Sequence, residues 1–231
     1  MIYEDSIEYF GEEWAKELAP LISSEYMTWL ETGMRNEYMH RTIYPSWDKV
    51  FNAFAATPPS KLKVVILGDQ PYSSNEATGI AFGVSNDSIL PPRTIFDIIQ
   101  VLENGTELCL NFDYSLHQWT SQGVLLLNSA LTTIHKGPEL CHITYWLNFT
   151  KYVINYIIKR YPHVVFLSIG TGYGLEPAHF EKAKIFHIKR NQLKQYGYTA
   201  FGRVNDVLDG QNGPDNIIKW VPNKPIYDMP F

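Results

Sequence analysis

Apolar residues follow two rhythms along this chain. Four short, nearly unbroken runs, Lys63 to Leu67, Gly123 to Asn128, Val164 to Ile169 and Lys184 to Ile188, have the length and composition of strands covered on both faces. Between and around them the spacing is helical. Ile7, Phe10, Trp14, Leu18, Leu21 and Ile22 predict one or two amphipathic helices over residues 7 to 31, with Pro20 as a break and a loop afterwards. A helix is expected near Trp47 to Ala56, closed by Pro58-Pro59-Ser60. Another runs from Ile95 to Asn104 behind Pro91-Pro92-Arg93-Thr94, since proline suits a first helical turn. Further helices are expected over Ile143 to Arg160 and Phe201 to Leu208. This alternation predicts an α/β fold: a central, mainly parallel, four-stranded sheet flanked by helices on both faces. The expected organisation is a single domain over residues 1–231, with amino-terminal helices over 1–42, an irregular tail over 221–231 and no internal repeat.

Composition narrows the function. With 231 residues, 45% hydrophobic and 19% charged, the chain can bury a substantial core as one domain. No apolar run is long enough to cross a bilayer, and the acidic start from Met1 to Asp5 is unlike a signal peptide, so an intracellular, cytoplasmic protein with no membrane partner is expected. Cys109 and Cys141 form no metal-ligand pattern and are too few for a disulfide framework, which suits a reducing compartment. A net charge of −5 argues against indiscriminate nucleic-acid binding. Even so, Lys182, Lys184, Lys189, Arg190, Lys194 and Arg203 gather in the last quarter, as either a solvated basic face or an anion-binding one. No metal and no cofactor is expected. Gly170-Thr171-Gly172-Tyr173-Gly174 follows a strand but lacks phosphate-loop spacing and reads as a turn.

The chemistry is concentrated after the first strand. Val64 to Ser73 reads Val-Val-Ile-Leu-Gly-Asp-Gln-Pro-Tyr-Ser, a buried strand delivering a proline-stiffened polar loop to its carboxyl end, where open α/β sheets place their sites. This loop resembles the Gly-Gln-Asp-Pro-Tyr-His motif of family 1 uracil-DNA glycosylases. Further segments match that family in its own order: Ile43-Tyr44-Pro45 with Val50 to Phe54, Gly79 to Phe82, Pro91-Pro92, Gly123 to Thr132, and Phe201-Gly202 with Asn205 and Ile218-Lys219-Trp220.

The resemblance implies a fold and a set of roles. Base-processing enzymes extrude a nucleotide and read its edge in a pocket. Phe82 would be the aromatic wall, Asn128 would read the N3–H and O4 edge of uracil, and Tyr72 would stand beside carbon 5, with Ser73 at the pocket mouth. Pro91, Pro92 and Arg93, together with Asn191, Leu193 and Lys194, would meet DNA, with Leu193 as the wedge filling the gap in the duplex. The partner implied is DNA, single- or double-stranded, bound by a monomer associated with a nucleoid or with viral replication; the amino-terminal helices offer a possible protein-partner surface.

Three positions depart from the family. Its water-positioning acid falls on Gln70, and the acid, Asp69, stands one residue earlier. The histidine that serves O2 of the base becomes Lys189 when aligned on Leu193, or Arg190 when counted back from Phe201-Gly202. Ser73 replaces the motif's final histidine. Base-reading residues persist while hydrolytic ones are exchanged. Our leading expectation is therefore an enzyme acting on a 5-substituted uracil in DNA, such as one bearing phosphate or pyrophosphate that Lys189 and Arg190 would meet, by transfer or altered N-glycosidic cleavage with Asp69 as base or orienting group. One alternative is a conventional uracil-DNA glycosylase with a rearranged loop. Another is an inert uracil-DNA binding or replication accessory protein.

Overall fold

The computed structural model describes residues 2–85, 91–103, 112–175 and 183–221. In chain order its helices and strands are α1 (Ser6–Phe10), α2 (Glu12–Glu17), α3 (Ala19–Ile22), α4 (Glu25–His40), β1 (Ile43–Tyr44), α5 (Asn52–Ala56), β2 (Val64–Gly68), α6 (Arg93–Leu102), α7 (His117–Thr120), β3 (Val124–Asn128), β4 (Thr133–Ile134), α8 (Ile143–Arg160), β5 (Val165–Ile169), β6 (Lys184–Ile188) and α9 (Leu193–Asn212).

Successive side chains of a strand point to opposite faces, and the four long strands obey this closely. Val65, Leu67, Leu125, Leu127 and Phe166 enter one core, while Val64, Ile66, Val124, Leu126, Val165, Leu167 and Ile169 enter the other. The strands pair in parallel in the order β3-β2-β5-β6, so the predicted class stands. Helices α1 to α5 and α8 cover the first face; α6, α7 and α9 cover the second. Phe10, Phe51, Phe54 and Phe149 form an aromatic cluster on the first face, with the Phe10 and Phe51 ring centroids 4.4 Å apart. Most apolar residues of the amino-terminal helices are consumed by this packing, while Ile7, Trp29 and Met39 are exposed.

Several boundaries differ from expectation. The amino-terminal region is four helices, with Pro20 inside the first turn of α3, and the segment after residue 31 continues helical to His40. Glu31 and Arg35 pair one turn apart on α4, and Glu37 pairs with Arg41 just past its end. The helix expected over Trp47 to Ala56 is a 3-10 turn at Trp47–Lys49 followed by α5. The last helix begins eight residues earlier than its apolar pattern suggests, at Leu193 instead of Phe201. A short antiparallel ladder joins β1 to β4, pairing Ile43 with Ile134. Asn104, Cys109, Lys182 and the tail beyond Val221 lie outside the described residues. Among the described residues, no helix is long and apolar enough to cross a membrane. Asn205 clasps Ile218 by two hydrogen bonds of 3.0 Å, which locks the segment after α9 onto the second face.

Candidate active site

The parallel register sets Gly68, the last residue of β2, beside Asn128, the last residue of β3. Gly68 is required by close approach: a Cβ there would lie 2.6 Å from Asn128 Oδ1 and 3.0 Å from Phe82 Cζ. Carboxamide and ring therefore meet over a bare patch of backbone. Asn128 is 5% exposed, yet among the described residues its carboxamide has no hydrogen-bond partner. A carboxamide that the described residues leave without a hydrogen bond keeps both its donor and its acceptor for an external partner.

Phe82 sits at φ 65°, in the left-handed region that bulky residues rarely adopt. Its carbonyl accepts from the Tyr72 hydroxyl at 3.2 Å. Burial pushes the Tyr72 phenol above its ordinary pKa, Arg190 opposing, so the hydroxyl stays neutral and the ring stays anchored. Residues 69–73, Phe82, Thr94 and Arg190 are among those that line a cavity of about 170 Å³ at the carboxyl end of the sheet. Asn128 does not reach that wall. The Phe82 ring packs down on Gly68 beside the carboxamide, so wall and reader are adjacent but not both presented to the cavity.

Asp69 faces this cavity, 6% exposed. Its Oδ1 accepts from the Thr171 backbone N–H at 2.8 Å and from Thr171 Oγ1 at 2.5 Å, and its Oδ2 accepts from Arg190 Nη2 at 2.9 Å. Gly170 makes the arrangement possible: its φ is +133°, and a Cβ there would stand 2.3 Å from Asp69 Oδ2. The glycine-rich turn after β5 is thus a cradle for the acid, a role its sequence does not announce. Arg190 Nη1 also reaches Glu139 Oε1 at 3.6 Å. Gln70 lines the cavity, but its Oε1 accepts from the Leu140 N–H in the loop between β4 and α8. Ser73 also lines the cavity, and its carbonyl lies 3.1 Å from His135 Nδ1.

Of the two candidates for the histidine's place, Arg190 is on the cavity wall; Lys189 is exposed and, among the described residues, pairs with no acid. Pro91 and Pro92 are half-buried, with Pro92 capping α6. Arg93 and Lys194 are exposed and share Asp97, each at 3.5 Å, and Asn191 is exposed between the site and α9. Leu193 corrects the expectation of a wedge. It is 3% exposed and belongs to the second core, because α9 begins at this residue and turns its side chain inward. Leu193→Ala is accordingly expected to lower stability by about 2–5 kcal/mol in denaturant unfolding, as a core truncation does. Residues that sequence reasoning missed are Thr171, Gly170, Glu139 and Thr94.

Three comparisons bear on this site. The family model described as the uracil DNA glycosylase superfamily matches residues 54–193. A uracil-DNA glycosylase of Azobacteroides pseudotrichonymphae is 35% identical over 217 residues, covering 90% of this chain and 97% of that protein. One from Chlamydia muridarum is 34% identical over 173 residues, covering 72% of each. Among solved structures, mimivirus uracil-DNA glycosylase superposes with a TM-score of 0.77 at 23% identity, covering 93% of this chain and 88% of that one, a likeness of fold. By the span of the family model and by the extent of its likeness to these relatives, this chain belongs to the uracil DNA glycosylase superfamily.

Proposed function

We propose that this protein captures a uracil-type base swung out of DNA and cleaves its N-glycosidic bond, with Arg190 rather than a water-activating carboxylate as the principal catalytic group. The observation that carries this reading is the Arg190 guanidinium on the cavity wall, held by Asp69. Entry of the base displaces the Phe82 ring from Gly68, so that the ring stacks on the pyrimidine and the Asn128 carboxamide meets its edge. As the bond between C1′ and N1 breaks, its electron pair passes to the base, and the guanidinium stabilises the charge gathering at O2. Oriented cations of this kind are worth far more in a desolvated site than in water. Water then adds to C1′ and its proton passes to the departed base, leaving an abasic sugar. Asp69, with three donors on its two oxygens, is a positioning residue for Arg190 and has little capacity left to take a proton from water.

A 5-substituted uracil remains the second reading, favoured by one observation: Lys189 is an exposed cation without an acidic partner among the described residues, next to the cavity's arginine. The anchored Tyr72 ring weighs against it, because it fixes the side of the cavity where a substituent would stand. Incubation with single-stranded oligonucleotides containing uracil, 5-hydroxymethyluracil or its phosphorylated form, followed by mass analysis, separates the readings. We expect free uracil and an abasic strand from the first substrate. Turnover of the phosphorylated base alone would replace our reading with the second, and tight binding with no product from any substrate would make the protein a reader of uracil in DNA.

A further inference from the structure

β6 closes one edge of the sheet, and among the described residues its outer side pairs with no strand. After a 3-10 turn at Arg190–Gln192 the chain doubles back as α9, which packs on β5 and β6. Gln192, Tyr196, Thr199 and Arg203 recur at helical spacing, and with Phe186 and His187 of β6 they line a groove of about 420 Å³. The strand side is about 13 Å long and the helix side about 16 Å. One end, at Gln192, adjoins Lys189 and Arg190; the other ends at Arg203.

Charge identifies the occupant. Residues 183–205 contain five Lys or Arg and no Asp or Glu, within a chain of net charge −5. Arg190 and Lys194 are engaged by Asp69 and Asp97. Lys184, Lys189 and Arg203 are exposed and, among the described residues, have no acidic partner. Tyr196, 48% exposed, adds an aromatic face to the groove. A cationic groove with an exposed aromatic is the physical requirement for single-stranded nucleic acid, whose phosphates follow the charges while an unstacked base lies on the ring.

We propose that this groove holds the single-stranded DNA flanking the base site, with phosphates along Lys189, Lys184 and Arg203 and one base stacked on Tyr196. The identification of the strand as DNA rests on the reading of the cavity as a site for a flipped DNA base, but the groove's own binding does not require a uracil. Fluorescence anisotropy with uracil-free oligodeoxynucleotides of about twelve and about three nucleotides tests it. Tyr196→Ala is expected to weaken binding of the longer strand about tenfold and to leave the shorter unaffected. The double variant Lys184→Gln/Arg203→Gln is expected to reduce the slope of log affinity against log salt by about 1.4, some 0.7 for each phosphate that is no longer neutralised. Asn128→Ala should leave uracil-free binding unchanged, so failure of the base site and failure of the groove are told apart. Tyr196 and Arg203 line the groove, Lys184 adjoins its lining residue Ile185, and all three are exposed, so an unaltered melting temperature establishes that the fold is intact. Wild-type affinity and salt slope in both groove variants would overturn the proposal and leave the sheet edge to an extended protein segment.

Discussion

Asn128→Ala is expected to abolish the preference for uracil over other pyrimidines while leaving the protein as stable as before. The carboxamide pairs with nothing among the described residues, so its removal costs no hydrogen bond to any of them. Its hydrogen bonds to the base edge exist only in the complex. A side chain making a paired contact with a base contributes about 1–3 kcal/mol of discrimination, a factor of roughly 5–150. Competition between oligonucleotides containing uracil, cytosine and thymine reads that factor directly, and denaturant unfolding reads the stability. A variant that discriminates like the wild type would show that the base is read elsewhere; one that unfolds more easily would make Asn128 a structural residue.

The second large effect concerns Asp69 and Arg190. Removing one charge-stabilising donor from a catalytic site lowers turnover by about 10²–10³, and this is the loss expected for Arg190→Ala in release of free uracil. Asp69→Asn is expected to cost nearly as much, because Oδ2 is what holds the guanidinium on the cavity wall. The decisive variant is the double one. If Asp69 acts through Arg190, the doubly substituted protein is no slower than Arg190→Ala alone, since residues that work as a unit are strongly non-additive. If Asp69 activates water independently, the two losses multiply. Gln70 enters differently: its side chain accepts from the Leu140 N–H and so tethers the loop that also carries Glu139.

The sheet was legible because its strands are short apolar runs with no competing pattern, and the boundaries of β6 and α8 follow from their sequences directly. The first two turns of α9 carry no clear apolar pattern, for a physical reason. Lys194, Gln195 and Gly197 interrupt its apolar rhythm, and Gly197 is there because the helix passes close to Val101 of α6. The two-residue strands β1 and β4 are too short to carry any periodicity. At the site, motif order brought Asp69, Tyr72, Phe82 and Asn128 into one candidate set, and choosing Arg190 over Lys189 required the fold. The cradle of Asp69 could not be read from local sequence, since Thr171 and Arg190 lie 102 and 121 positions away and only sheet closure brings them together. Leu193 shows the reverse limit: a leucine in the right motif position is core or wedge according to where its helix starts.

The most direct measurement is a crystal structure with single-stranded DNA bearing one 2′-fluoro-2′-deoxyuridine, whose glycosidic bond resists cleavage. We expect the pyrimidine inside the cavity, Phe82 lifted from Gly68 and stacked on it, the Asn128 carboxamide on its N3–H and O4 edge, and Arg190 beside O2. A base left outside the cavity, with the Phe82 ring still on Gly68, would contradict capture of a flipped base at this site.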